Sequence, residues 1–360
     1  MKKVLSYLLL SALNLFFYSC IGNSDVLSLD VKEVDYLNKS QITIDGEKLD
    51  WNIEGSIEMA IRDSLLMFVG EDVDGFLKVF SLNSFNQIGK FCLKGRAKNE
   101  FIQAVSLTEQ TYVNKGNIIY PLVNIPAFEL KEINVTESLR KQSTVVSSVT
   151  ECSSKGEFIL LDDDVNKRFE SRLFQNSIEM KRRDIPVSYF LCDGKKEKTV
   201  RVFNRIMKIE DETDIYVPYV AQMSKHPDRN LIVEVHSGID YIFYFDIDKK
   251  EHFAIHQAGT ITYNDYLEYQ KVGPLVFSDV AVASDYFFVL YWNGEYSKSF
   301  DKSERKPELI LFDWEGNFIN SVKLNQQIHS IEYDERNKVL YGINRIDETL
   351  YRFDVKHLIP

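Results

Sequence analysis

Three groups of residues in this chain have types and spacings that could do chemistry. His252 and His256 stand four apart, and Asp162, Asp164 and Asn166 follow a 1-3-5 spacing. Basic clusters stand at Lys94/Arg96/Lys98, Lys181-Arg182-Arg183 and Lys195-Lys196-Lys198, and a solvated loop is the expectation for each. On a helix the two histidines would share a face and could hold one zinc ion. The segment reads as a strand, where four residues span ~13 Å, too far for one ion. Surface histidines are the expectation. A calcium loop needs Gly at its sixth place and a bidentate acid at its twelfth, and Lys167 and Leu173 stand there, so a turn with solvated acids is expected. The chain has no G-x-S-x-G, H-E-x-x-H, P-loop or G-x-G-x-x-G pattern. The sequence therefore predicts no catalytic residue, no metal and no cofactor. Arg96, Glu100 and Trp292 are left as candidate residues of binding or structural loops.

The elements that must carry these residues are strands. The clearest is the hairpin Glu308 to Leu324, ELILFDWEGNFINSVKL, in which Gly316 suits a positive φ and Asp313 can cap the turn. Weaker echoes place similar anchors at residues 80, 128, 174, 245, 312 and 353, roughly 40 to 70 residues apart, which is the spacing of propeller blades. The fold class read from this is all-β: a six-bladed β-propeller of four-stranded antiparallel blades over residues 39–360. Ser188 to Asp214 breaks the rhythm and reads as a charged excursion between blades, and Asn264 to Lys271 as one or two helical turns. The last unit shows three strands where four are needed. Gln41 to Ile44 is the expected donor of the fourth, pairing beside Leu350 to Asp354 and closing the ring.

The start of the chain has a different character. Lys2 and Lys3 precede a short apolar run, Val4 to Phe17, and then Tyr18-Ser19-Cys20. That run is below the ~18 residues of a spanning helix and fits a secretory signal over residues 1–19. Residues 20–38 read as a polar tether. With Cys20 set aside, Cys92, Cys152 and Cys192 show no C-x-x-C spacing, so no disulfide or zinc framework is assigned. The formal net charge of −11 repels nucleic acid and anionic headgroups, so neither is an expected partner.

Taken together, the lipobox-like Ser19-Cys20, the six units, the loop Gly95-Arg96-x-x-x-Glu100-Phe101 and the hairpin Phe312-Asp313-Trp314-x-Gly316 resemble the TolB-like six-bladed β-propeller lipoproteins of the Bacteroidetes. The resemblance implies lipid attachment (palmitate-type acyl chains) at Cys20. It also implies a cell-envelope location at the outer membrane, on its periplasmic face or at the cell surface. In that family the loop usually reads Gly-Arg-Gly-Pro-Gly-Glu-Phe, and here Ala97, Lys98 and Asn99 stand in the Gly-Pro-Gly places. Asp63-Ser64-Leu65 matches a short O-glycosylation triplet of such envelope proteins and sits in a plain hairpin turn. The function expected is that of a non-catalytic binding or scaffold module for an envelope protein or glycan, anchored to the membrane by lipid. The alternative is a metal-dependent propeller hydrolase or lactonase, which would need carboxylates converging from the inner strands. Those strands read mostly as aliphatic with Ser and Thr.

Overall fold

The computed structural model describes residues 29–37, 39, 42–72, 74–106, 110–125, 127–152, 157–173, 187–194, 196–203, 221–260, 274–295 and 306–359. Its strands form six antiparallel sheets, each the blade of a ring. Blade 1 is Ser56–Arg62, Leu65–Gly70, Leu77–Ser81 and Asn86–Phe91, from the innermost strand outward. Blade 2 follows with Gln103–Val105, Asn117–Ile125, Glu129–Asn134 and Val146–Glu151, and Tyr112–Asn114 adds to its second strand. Blade 3 is Glu157–Leu161, Asp164–Leu173, Val187–Asp193 and Lys196–Phe203. Blade 4 is Ala221–Lys225, Leu231–His236, Tyr241–Asp246 and Glu251–Gln257. Blade 5 is Pro274–Val282, Tyr286–Glu295, Glu308–Asp313 and Phe318–Leu324. Blade 6 is Ser330–Asp334, Val339–Asn344, Thr349–Asp354 and, from the far end of the chain, Glu47–Leu49.

The Phe-Asp echoes mark third strands. Phe245-Asp246, Phe312-Asp313 and Phe353-Asp354 each end one, with the Phe buried in an inter-blade core and the acid turning the chain. Asp313 accepts the amides of Glu315 and Asn317 (3.0 and 2.7 Å), Asp246 that of Lys249 (2.9 Å) and Asp354 that of Lys356 (3.1 Å). Gly316 has φ +77, and a Cβ there would meet Phe253 and Ile255 of blade 4 at 2.9 Å. The anchor at residue 174 lies outside the described residues. The third strand of blade 3 is instead Val187–Asp193, ending Cys192-Asp193, so much of the supposed excursion at 188–214 is two strands of a blade. Its charged run Lys196-Glu197-Lys198 reads as a loop by composition, yet it suits an outer edge strand, where charge discourages unwanted pairing.

Ring closure differs from expectation in register. Thr43 and Ile44 pair in parallel with Lys323 and Leu324 of blade 5, and it is Glu47–Leu49 that pairs with Leu350, Tyr351 and Arg352. The chain passes between the two blades at Gly46, where a Cβ would lie 2.7 Å from the Phe353 ring, and Gln326 accepts the Gly46 amide at 2.7 Å. The tether also ends earlier than residue 38. Asp30–Val34 is a fifth strand on blade 4, parallel to Glu251–Gln257, and Tyr36 is fully buried against Phe312. The N-terminal segment is thus a strap that runs along the outer edges of blades 4, 5 and 6 before entering the centre of blade 1. The one described helix, Val135–Lys141, sits between the outer strands of blade 2. Asn134 caps it by accepting the Glu137 amide, an Asn-x-x-Glu pattern readable in the sequence. Among the described residues no helix is long and apolar enough to cross a membrane. Cys20 and Asn264 to Lys271 lie outside them.

Candidate functional site

Strand alternation sorts the loops onto two faces. Connections from second to third strand, and from blade to blade, share an upper face; the hairpins between first and second and between third and fourth share a lower one. The Gly95–Phe101 loop joins blade 1 to blade 2 and is therefore on the upper face. It folds on itself: Gly95 N–H donates to Phe101 O (2.8 Å), Phe101 N–H to Leu93 O (3.0 Å) and Ala97 N–H to the Glu100 carboxylate (2.9 Å). That carboxylate lies over Gly95, where a Cβ would meet it at 1.9 Å, which is why this motif wants Gly and Glu together. Beneath, the buried Lys131 ammonium donates to the carbonyls of Lys98 (3.1 Å) and Glu100 (2.8 Å) and stands 4.9 Å from the Phe101 ring. Burying an ammonium is costly unless it is bonded, so these contacts fix the loop from below. Phe101 plugs the core, Glu100 shapes the turn, and Arg96 projects into solvent.

Trp292 also lies toward the upper face, but it is not a free aromatic. It is 3% exposed, stacks on His329 at 5.1 Å and donates its indole N–H to Ser278 (3.1 Å). Its place is packing between blades 5 and 6. Of the three candidate loop residues, Arg96 and Glu100 stand in one loop between blades 1 and 2, and Trp292 stands across the ring on the second strand of blade 5.

The inner strands carry acids that composition did not assign to the channel. Glu58, Asp279 and Glu332 lie on the innermost strands of blades 1, 5 and 6, two of them in the repeated tripeptides Ser56-Ile57-Glu58 and Ser330-Ile331-Glu332. Each accepts a backbone amide from the next blade: Asp279 from Ile331 (2.7 Å), Glu332 from Ile61 (3.3 Å) and Glu58 from Ser106 (3.1 Å). Ser224 to Val280 O (3.0 Å) and Leu160 N–H to Gln110 (2.5 Å) link two further junctions. The repeat was legible as Ser-Ile-Glu, but the sequence did not mark which strands were innermost. Burial raises all three carboxyls, to about 7 for Glu58, about 6 for Asp279 and about 8 for Glu332; the amides and, at Glu58 and Asp279, Arg345 oppose it. Among the described residues no three His, Cys, Asp or Glu side chains come together as a metal site. Asp162 and Asp164 sit at a hairpin turn, with Asp162 paired to Lys167 at 3.1 Å.

His256 is a correction. It is 2% exposed, because the strap covers this edge of blade 4 and the Tyr241 ring stacks on it at 4.3 Å. Its Nδ1 meets the Glu33 carboxylate at 3.0 Å and its Nε2 the Thr260 hydroxyl at 3.1 Å. Thr260 donates in turn toward Asp240 (3.2 Å), which also accepts the Tyr36 hydroxyl, and burial raises the Asp240 carboxyl. Gln257 accepts the amides of Tyr36 (2.9 Å) and Leu37 (2.8 Å). This network fastens the strap.

No curated protein matches the chain. Among solved structures it resembles a Bacteroides fragilis protein described as exported, at 12% identity and TM-score 0.50, covering 90% of this chain and 98% of that one. A member of the DUF4221 family from Bacteroides vulgatus follows at 10% identity and TM-score 0.46, covering 89% and 94%. The family model for TolB-like 6-blade propeller-like proteins matches residues 49–336, and with the six blades in place the chain belongs to that family.

Proposed function

We propose that this protein is a binding or scaffold module of the bacterial envelope, held to a membrane by lipid on Cys20, that presents the upper face of its ring to a protein or glycan. The observation that carries the reading is how the polar groups are used. The inner-strand carboxylates hold neighbouring blades together through backbone amides, while the Gly95–Phe101 loop is fixed from below and left open above. That division supports recognition over turnover. The signal-like start, with Ser19 before Cys20, supports export and acylation, and the Bacteroides fragilis neighbour is described as exported. One acyl chain binds a bilayer only marginally, at ~0.8 kcal/mol per buried methylene, so stable anchoring needs more than one.

The test has two arms. Cells expressing wild type or Cys20→Ala are fed a clickable fatty acid and fractionated; label and membrane association are expected for wild type alone. The wild type is then captured from its own envelope, and a co-purifying component is expected to bind the purified domain saturably. Label on the Cys20→Ala protein, or none on either, overturns the anchor. Metal-stimulated hydrolysis of lactones by the domain, lost in Asp279→Asn, overturns the non-catalytic reading.

A further inference from the structure

Against a net charge of −11, one stretch of the upper face has the opposite sign. Lys94, Arg96 and Lys98 are exposed on the loop between blades 1 and 2, and among the described residues none of their side chains is in an ion pair or hydrogen bond. Around them stand Leu93 (51% exposed), Ile102 (36%) and Phe128 (56%). Phe128 is on the same face, in the connection between the second and third strands of blade 2, and joins this surface through its neighbour Glu129. Glu129 accepts from Asn124 (3.1 Å), and Asn124 accepts the Ile102 amide (2.8 Å). Phe128 also has φ +51, a conformation disfavoured for a bulky residue. A large ring that is both strained and solvated contributes little to the fold that holds it.

The geometry points to a docking surface here, on Leu93, Ile102 and Phe128 with Arg96 and Lys98, for an apolar segment rich in Asp and Glu on a partner protein. The inference deepens the binding-module reading and rests on it. Charge complementarity selects the acidic segment: the cations are unpaired and share the upper face with these exposed apolar side chains, while the nearby acids Glu100 and Glu129 already accept hydrogen bonds. The topology argues against a membrane as occupant. The strap runs parallel to Glu251–Gln257, which climbs from the lower face, so the chain enters the ring from below at Asp30. Cys20 lies ten residues before that point, within ~35 Å of chain at full extension. A bilayer holding Cys20 is reached most directly from the entry side, opposite the docking face. A neutral glycan would leave the three exposed cations without a counter-charge.

The test is site-specific photocrosslinking in the native host. The full chain carries p-benzoylphenylalanine in place of Phe128 or, on the lower face, of Phe85, and the adducts are identified by mass spectrometry. At position 128 the expected adduct is a segment of another protein in which Asp and Glu outnumber Lys and Arg. Its yield should fall about tenfold when Arg96→Glu and Lys98→Glu are added. These side chains are exposed, and an unchanged melting temperature verifies that the charge-reversed protein is folded. A neutral or basic segment, a second copy of this chain, phospholipid, or a yield indifferent to charge reversal overturns the inference. So does an adduct at position 85 alone, which leaves the binding-module reading intact. No adduct at either position, with nothing captured from the envelope, removes both.

Discussion

Blades 4, 5 and 6 have their outer edges covered by the N-terminal strap, whereas blades 1, 2 and 3 end on strands from their own part of the chain. The two halves solve the edge problem differently. The unstrapped half uses polar composition: Asn86, Gln87 and Lys90 in blade 1, Ser147, Ser148 and Thr150 in blade 2, and the charged Lys196–Phe203 in blade 3. The strapped half uses packing, with near-continuous apolar strands such as Tyr241–Asp246 and Glu308–Asp313 buried inside it. The same division separates roles. The strap fixes the ring and its entry side, and the open half carries the upper-face loop with its exposed cations. The strap covers the edges of one half, and the loop with the exposed cations belongs to the other.

The largest effect should come from removing the strap. A chain beginning at residue 50 loses the fourth strand of blade 6 and the added strands of blades 4 and 5, opening the ring. We expect no cooperative thermal transition, while a chain beginning at residue 29 melts as the full chain does. Cooperative melting of the shorter chain would show that the ring closes without its strap. Next is Tyr36→Ala, which empties a fully buried site between blades 4 and 5. A cost of ~3–5 kcal/mol is expected by chemical denaturation, with hydrogen exchange rising first along Asp30–Val34 and Glu251–Gln257. In the open half, Lys131→Met leaves two carbonyls unanswered and should cost ~2–3 kcal/mol. Arg96→Ala at the exposed end of the same loop should cost under ~0.5 kcal/mol.

These contrasts explain what the sequence could and could not show. The Phe-Asp endings were legible because one local pattern does two local jobs, burying a ring and capping a turn. The strap was not. Val31, Glu33 and Tyr36 look like scattered residues in a polar segment, and their value depends on an edge more than two hundred residues away. Glu47–Leu49 is only three residues long, so composition favoured the more apolar 41–44 for closure. His256 looked like a surface residue for the same reason, since what covers it comes from the other end of the chain. Trp292 looked like a loop aromatic because the strand that holds it continues to Glu295.

The seam between the halves gives a pH test. Burial raises Glu332 from 4.5 to about 8, and Ile61 of blade 1 donates to it across the seam with blade 6. The folded chain then holds this proton more tightly than the unfolded chain between those values. Its contribution to stability is fully present below pH 4.5 and is lost as pH rises toward 8. Glu332→Gln keeps an acceptor for Ile61 and has no proton to lose. It should match wild type near pH 4 and exceed it by up to ~5 kcal/mol near pH 9 in urea denaturation. A constant difference between the two across that range would place the carboxylate in contact with solvent.

A small effect separates packing from electrostatics in the strap itself. Glu33 meets the buried His256, yet its own side chain is 55% exposed, so water screens the pair and competes for the carboxylate. Gln at this position keeps an oxygen that can accept from Nδ1. Glu33→Gln is therefore expected to cost less than ~1 kcal/mol, with faster hydrogen exchange confined to the pairing of residues 30–34 with 253–257. Tyr36 is the anchor on this account, and Glu33 orients the imidazole that Thr260 and Tyr241 already hold. A Glu33→Gln cost equal to that of Tyr36→Ala would reverse the order. It would make the strap an electrostatic clasp, and the strapped half would then weaken with added salt while the open half did not.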